Sequence, residues 1–482
     1  MTQNNLTINI AGDIKIVVPD NLGLMTPYVL LEQEDWFEDE IKFIRKLIKP
    51  GNKIIDIGAN YGTYTLNCAK LTGSSGEVWP IEPASSTYNY LTKSIKENKF
   101  TWITPTQCAL SNKEGKATLS LFANSELNTL GNLNQSGENT ETVTLTTLDT
   151  LYKKYKWENI DFLKLDAEGE EEKIINGGLC FFKEQSPLIM FELKHGNKVN
   201  FSLIDSFNTI GYKTYRLVKG LNILVPFDST KTDEIIDSYM LNLFCCKNDT
   251  AKKLEKRNLL ATKTETNLPI TNFDLKNTFN QMIYSSSLST IWFKNNAKIY
   301  QKESQSYKEV LTKYFLSKNN TLDASKRYSY LLSAYNQIKK EPMTIGKLCT
   351  YIRISLDIGY RSHAIQLINS LLTDITKYSS IKTYEPILAL CNKYDNYKID
   401  DLKSWIETSA IFLKETLSHF SGYFSQETTL TKQNNLFFNY EIERRNALKL
   451  IKSRSSTKGK LDPLLLIKSQ ENLNSNIWKQ LC

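Results

Sequence analysis

One turn, Asp56-Ile57-Gly58-Ala59-Asn60-Tyr61-Gly62, constrains this chain more than any other feature, because it joins an apolar run to a helical one. Lys53–Ile57 reads as a short buried strand and residues 61–70 as a helix. Gly58 and Gly62 let the backbone approach a ligand where any Cβ would clash. The helix start behind them offers unpaired N–H groups. Strand, glycine turn and helix form the opening unit of an open α/β sheet, whose ligands gather beyond the carboxyl ends of its strands.

What surrounds the turn gives it weight. Residues 6–18 alternate around Gly12-Asp13 and predict a β-hairpin, and residues 35–48 predict a helix stopped by Pro50-Gly51. After the turn come a strand at Glu77–Ile81, a helix over 86–98 and a third strand over 104–110. An inserted hairpin follows (117–122 and 142–146), then strands over 160–165 and 188–193. Such alternation implies a mostly parallel sheet with helices on both faces. The late segments Lys213–Val218, 221–225 and 241–246 lack intervening helices and predict an antiparallel edge.

Residues 247–272 are polar and without period, so the expected organisation is an α/β domain over 1–250, a linker over 251–275 and an all-α domain over 276–482. Helices are predicted over 276–300, 302–316, 324–340, 345–358, 361–374, 382–394 and 400–419. Residues 345–374 resemble one tetratricopeptide-like hairpin, but no second copy recurs at a fixed period, so a helical bundle is expected. Residues 420–482 carry scattered apolar positions that fit further helix.

Composition narrows the function classes. With 41% hydrophobic residues, 482 positions suffice for two or three cores. No apolar run approaches the roughly 18 residues of a membrane span, and Met1 to Asn5 has neither the basic start nor the apolar core of a secretory signal. The eight cysteines show no C-x-x-C spacing, so reduced thiols in a cytoplasmic protein are expected. Residues 1–250 hold 25 basic and 32 acidic side chains, residues 251–482 hold 35 and 20. That basic half is mostly Lys and lacks clustered Arg with aromatics, which fits an ordinary solvated surface better than a nucleic-acid grip.

Two further positions carry chemistry. Glu82-Pro83 ends the next strand, where a carboxylate can accept both ribose hydroxyls of a nucleoside. Asp166 and Glu168 sit on the loop after the fourth strand, within reach of an acceptor hydroxyl. Glu170, Glu171 and Glu172 are expected only to favour the start of the following helix.

In order and spacing, the stretch from about residue 35 to 195 resembles the FkbM family of methyltransferases that use S-adenosylmethionine (SAM). The motifs are Ile55 to Gly62, Ile81-Glu82-Pro83, Cys108-Ala109-Leu110-Ser111 with Gly115, and Thr147-Leu148-Asp149. Leu163 to Gly169, Gly177-Gly178 and Phe191-Glu192-Leu193 complete them. Pro80, just before the usual Glu-Pro strand end, departs from the pattern, as does the long helical half. The resemblance implies a Rossmann-like class I methyltransferase sheet, with Asp56, Gly58, Ala59, Asn60 and Gly62 at the methionine end of SAM. Glu82 with Pro83 would meet its ribose, and Cys108 and Ala109 would border its adenine.

The family is associated with O-methylation of sugar or natural-product hydroxyls, so a sugar or glycan acceptor is expected. Such a hydroxyl needs a base, for which the candidates are Asp166, Glu168, Glu192 and His195. A divalent cation on Asp166, Glu168 and Glu192 is the alternative way to lower the acceptor's pKa; the simpler expectation is a protein base and no metal. His363 and His419 lie in predicted helices and read as surface or packing residues. Two competing functions remain. One is a nucleic-acid methyltransferase, although no Asn-Pro-Pro-Tyr or Asp-Pro-Pro-Tyr motif is present. The other is a non-catalytic scaffold whose helical half recruits a glycosyltransferase.

Overall fold

The computed structural model describes residues 5–130, 139–195, 198–199, 201–228, 242–270, 273–286, 288–293, 304–425, 439–452 and 461–481. The expected hairpin opens the chain as β1 (Asn5–Ile10) and β2 (Ile14–Pro19), followed by α1 (Met25–Gln33) and α2 (Glu40–Leu47). Sequence periodicity places nothing over α1, because seven of its nine residues are buried and no polar stripe of period 3.6 remains. Its Pro27 sits in the first turn, where a missing N–H costs no helical bond. The helix expected over 35–48 is shorter than its pattern and begins at Glu40.

β3 (Lys53–Ile57), α3 (Thr63–Thr72), β4 (Glu77–Ile81) and α4 (Ser85–Glu97) come next. An inserted sheet follows, made of β5 (Ala109–Leu110), β6 (Gly115–Leu121), β7 (Thr129–Leu130) and β8 (Asn139–Thr146), in the order β5-β8-β6-β7. Then come α5 (Leu148–Tyr155), β9 (Phe162–Leu165), α6 (Glu171–Asn176), α7 (Leu179–Glu184) and β10 (Leu188–Glu192). β11 (Lys194–His195), β12 (Lys198–Val199), α8 (Ser202–Thr209), β13 (Lys213–Val218), β14 (Ile223–Pro226) and β15 (Asn242–Cys246) complete the first half.

The main sheet runs β14-β13-β15-β10-β9-β3-β4. β4, β3, β9 and β10 are parallel, whereas β15, β13 and β14 add the antiparallel edge that the late segments predict. Both faces are covered. Ile54, Val78, Phe162 and Met190 enter one core, while Ile55, Trp79, Leu163 and Ile189 enter the other. Such strands read as unbroken apolar runs.

The third strand expected over 104–110 divides. Residues 102–106 run beside β4 through Val78 N–H to Trp102 O and Thr106 N–H to Pro80 O, and then the chain leaves to form β5 in the inserted sheet. Pro80 lies in the outer row of β4, so its missing N–H removes a bond toward residues 102–106 and leaves the β3 pairing whole.

The stretch read as a linker contains α9 (Asn248–Lys256), after which Leu259, Leu260 and Ala261 are buried and Leu260 bridges Leu224. Its apolar residues are too few to show a period, yet α9 buries Ala251 and Leu254 on one side. Beyond it lie α10 (Leu275–Asn280), α11 (Ser289–Trp292), α12 (Ser304–Lys318), α13 (Ala324–Ile338), α14 (Ile345–Ile358), α15 (Arg361–Ile375), α16 (Leu402–His419), α17 (Tyr440–Lys452) and α18 (Ser475–Leu481).

Residues 382–394, expected as helix, are not helical over 382–391. Pro386 interrupts them, and the buried run Ile387 to Leu390 satisfies its backbone through side chains: Tyr284 and Tyr307 donate to the carbonyls of Ile387 and Pro386, and Thr350 accepts from Leu388 N–H. The chain's end returns to its beginning. Leu448, Leu465, Ile477 and Trp478 share a core with Ile8 and Tyr28, and Asn474 pairs with Asn9 across 465 positions. Among the described residues no helix is long and apolar enough to cross a membrane.

Candidate active site

The glycine turn sits where β3 and β9 end side by side. Gly58 and Ala59 both donate to Ile81 O, at 3.0 and 3.1 Å, and tie the turn to the end of β4. Both glycines are required by close packing within the protein itself. A Cβ on Gly58 (φ +74°) would lie 1.7 Å from Asp166 O, and one on Gly62 (φ +94°) 2.6 Å from Leu91 Cδ1. Gly58→Ala therefore combines left-handed strain with a backbone clash. The expected cost is at least about 3 kcal/mol, a fall of roughly 6 °C or more in the unfolding midpoint. A thermal scan that leaves the midpoint unchanged refutes this role.

Beyond the strand ends lies a cavity of about 530 Å³. Gly58, Ala59, Asn60, Glu82, Pro83, Cys108 and Ala109 line it, as do Asp166, Glu168 and Glu192. Residues distant in sequence and singled out for two different tasks thus face one space. Asp56 and Gly62 stand behind the wall. Asp56 is buried, accepts from Thr65 Oγ1 at 2.5 Å and lies 4.0 Å from Lys164 Nζ. His195 is placed only through the backbone of β11, and its side chain lies outside the described residues.

Glu82 is buried at the end of β4, and its carboxylate accepts from Asn60 N–H (2.9 Å) and Ala84 N–H (3.0 Å). Burial nevertheless pushes its pKa up to about 7. Asp166, Glu168 and Glu192 converge from the ends of β9 and β10, each offering an oxygen within 4.8 Å of the others. Lys164 donates to Asp166 at 2.7 Å and to Gly58 O at 3.3 Å, linking the acids to the turn. Burial works against the Lys164 charge, but Asp166 and Asp56 outweigh it and raise its pKa. Burial and then the Asp166 charge push Glu168 up to about 8, and the same two causes hold Glu192 far above the carboxylate range. Near neutral pH the cluster thus holds protonated carboxyls.

Glu171, expected to favour the start of α6, accepts from Ala167 N–H at 2.8 Å and Gly169 N–H at 3.1 Å and so fixes the loop that carries Glu168. Glu170 does more than that expectation: it lines the cavity and accepts from Ser111 Oγ at 2.8 Å.

Three walls are invisible to motif reading. Trp36, Phe37 and Glu38, read as the start of a helix, instead face the cavity from the segment before α2, and Tyr64 donates to Glu38. Ser125 to Asn128, between β6 and β7, close another side, with Ser125 donating to Asn60 Oδ1 at 3.0 Å. Ser418, His419, Phe420 and Phe424, at and beyond the end of α16, form the third. Phe37 falls on the apolar stripe of Ile41, Ile44 and Ile48 and so carries no signal of its own, and nothing local marks 418–424. Among the described residues, the lining carries seven Asp or Glu side chains and one Lys.

Residues 56–217 match the model of the methyltransferase FkbM domain. Solved structures similar to this chain include methyltransferase FkbM from Methylobacillus flagellatus KT, with 16% identity, 42% of this chain and 50% of that one covered, and a TM-score of 0.28. A SAM-dependent methyltransferase from Aquifex aeolicus shares 12% identity over 45% and 90% of the two chains, with a TM-score of 0.25. TYW2 of M. jannaschii, solved in complex with AdoMet, shares 13% over 51% and 86%, with a TM-score of 0.28. No curated protein matches the chain.

Proposed function

We propose that this chain, whose residues 56–217 match the methyltransferase FkbM domain, uses SAM to transfer a methyl group to a hydroxyl oxygen of a neutral sugar or glycan. The observation that carries this reading is the meeting of Asp166, Glu168 and Glu192 within 4.8 Å, in the same cavity as the glycine turn and Glu82.

The cavity fits the donor. Its volume lies in the range of roughly 300–1,000 Å³ usual for a cofactor pocket, and a buried carboxylate, Glu82, stands at a strand end beside the glycine turn. In this reading Gly58, Ala59 and Asn60 hold the methionine end, Glu82 the ribose, and Cys108 with Ala109 the adenine. SAM supplies an electrophilic methyl on a sulfonium. The protein's task is to align an acceptor oxygen in line with that methyl and to take its proton. Asp166, oriented by the ammonium of Lys164, is the base best held for that, with Glu168 next to it. Carboxyl groups that keep their protons, above all Glu192, can donate hydrogen bonds to neighbouring hydroxyls of the acceptor.

Charge favours a neutral acceptor. The lining's one lysine, Lys164, is already paired with Asp166, so the described lining offers phosphate no unpaired lysine or arginine, which argues against nucleic acid as substrate. A second reading has its own support: the three carboxylate oxygens also suit a divalent cation that lowers the hydroxyl's pKa.

Incubation with labelled SAM, a panel of glycans and nucleotide sugars, and mass analysis of the product tests the proposal. One methyl gained on an oxygen of a sugar is expected, and transfer only to nitrogen, or to RNA, refutes it. Transfer that persists in EDTA assigns the chemistry to the carboxylates alone, and loss restored by Mg²⁺ assigns it to the cation.

A further inference from the structure

Among the described residues, the helical half reaches the cavity through one short segment that is unusually well fastened. Glu32 of α1, fully buried, accepts from Gly422 N–H at 2.8 Å and from Ser421 Oγ, and Arg445 of α17 pairs with it at 2.9 Å. Gln33 donates to Phe420 O at 2.7 Å, and Tyr423 donates to Gly23 O at 3.2 Å. The anchors secure backbone and flanking side chains, yet the two phenylalanines they carry face the cavity, and Phe424 stays 45% exposed. Phe420 holds φ at +56°, which a bulky residue adopts only under strain. Its ring lies 5.3 Å from that of Phe37, which in turn lies 4.8 Å from Trp36.

An exposed apolar ring on a backbone held this firmly contributes little to folding and is already ordered for binding. Trp36 and Phe37 from the first half, and Phe420 and Phe424 from the second, form an aromatic wall in the cavity that also holds the acid cluster. A pyranose has two chemistries that match: C–H faces that pack on aromatic rings, and rim hydroxyls that donate to carboxylates. We infer that residues 418–424 are half of a composite acceptor subsite, which binds a pyranose ring against Trp36, Phe37, Phe420 and Phe424 and turns its hydroxyls toward Asp166 and Glu168. The inference rests on the O-methyl transfer proposed above and adds that the helical half selects the acceptor.

The test uses the full chain, labelled SAM and a set of methyl pyranosides as probes, with glycerol as an acyclic polyol. Phe424→Ala removes a ring that is nearly half solvent-exposed, Phe420→Leu keeps bulk, and Phe424→Tyr restores an aromatic face. For the first two, a rise of about tenfold in acceptor KM is expected, with SAM affinity unchanged within about twofold, and Phe424→Tyr returns KM near the parent value. Saturation transfer from aromatic protons to the probe's ring C–H protons should weaken in parallel. Unchanged KM in both variants overturns the subsite while leaving O-methyl transfer standing, and so does glycerol methylated as efficiently as any pyranoside. A parent protein that binds SAM, yet neither methylates nor binds any pyranoside, overturns both.

Discussion

Asp166→Asn should lower kcat by about 10²–10⁴-fold, the usual worth of a positioned base, while SAM affinity stays within a few-fold of the parent. The side chain keeps its shape and its contact with Lys164, 2.7 Å away, but it can no longer take a proton. A second effect separates this role from a structural one. The Asp166 charge is among the causes that push up Glu168 and Glu192, so its removal should let both ionise at lower pH. Residual activity should then depend on Glu168, and its rise with pH should begin earlier than in the parent. Lys164 is 7% exposed and loses its closest negative charge, keeping Asp56 at 4.0 Å and the Gly58 carbonyl at 3.3 Å, so the variant's unfolding midpoint is measured alongside. Should it fold poorly, Glu192→Gln supplies the control, because Gln mimics the protonated acid already present and should leave stability nearly unaltered. Rates within about threefold of the parent in a folded Asp166→Asn protein remove Asp166 from the chemistry.

That prediction rests on residues legible in the sequence, and the reason is topological. In a parallel sheet the loops at the strands' carboxyl ends fall together, so Gly58, Glu82, Asp166 and Glu192, spread over 135 positions, are forced toward one space by β3, β4, β9 and β10. Each strand is buried on both faces and reads as an apolar run, which made the sheet easy to find. The walls of the cavity follow no such rule. Phe37 continues the apolar spacing of the helix that follows it, and α1 is buried on too many sides to show a period. Phe420 and Phe424 reach the site because Glu32 and Arg445, 413 positions apart, pair in the interior. No periodicity encodes a contact of that kind. Residues 382–391 failed as helix for a related reason: Pro386 and side chains from α12 and α14 settle the backbone of that run, not its own pattern.

Glu82→Ala should weaken SAM binding by about 100-fold, the loss expected when two hydroxyls lose a shared charged acceptor at roughly 1.5 kcal/mol each. Its pH dependence carries more information than its size. In the ligand-free protein burial holds Glu82 near pKa 7, well above the ordinary 4.5, so below pH 7 it is mostly protonated. Hydroxyl donors bind the ionised form, and complex formation must then displace a proton. Affinity should therefore climb about tenfold per unit as pH rises toward 7 and level off above it, with close to one proton released below that point. The folded ligand-free protein follows the opposite course. Its raised pKa means that Glu82 costs stability as pH rises from about 4.5 to 7, and bound SAM should offset that cost. Calorimetry at pH 6 and pH 8, in buffers of different ionisation enthalpy, reads both affinity and proton release, and in Glu82→Ala the two pH values should agree. A parent affinity that is flat across this range, with no proton released, would place the ribose on some other group and leave Glu82 as a brace for the turn at Asn60.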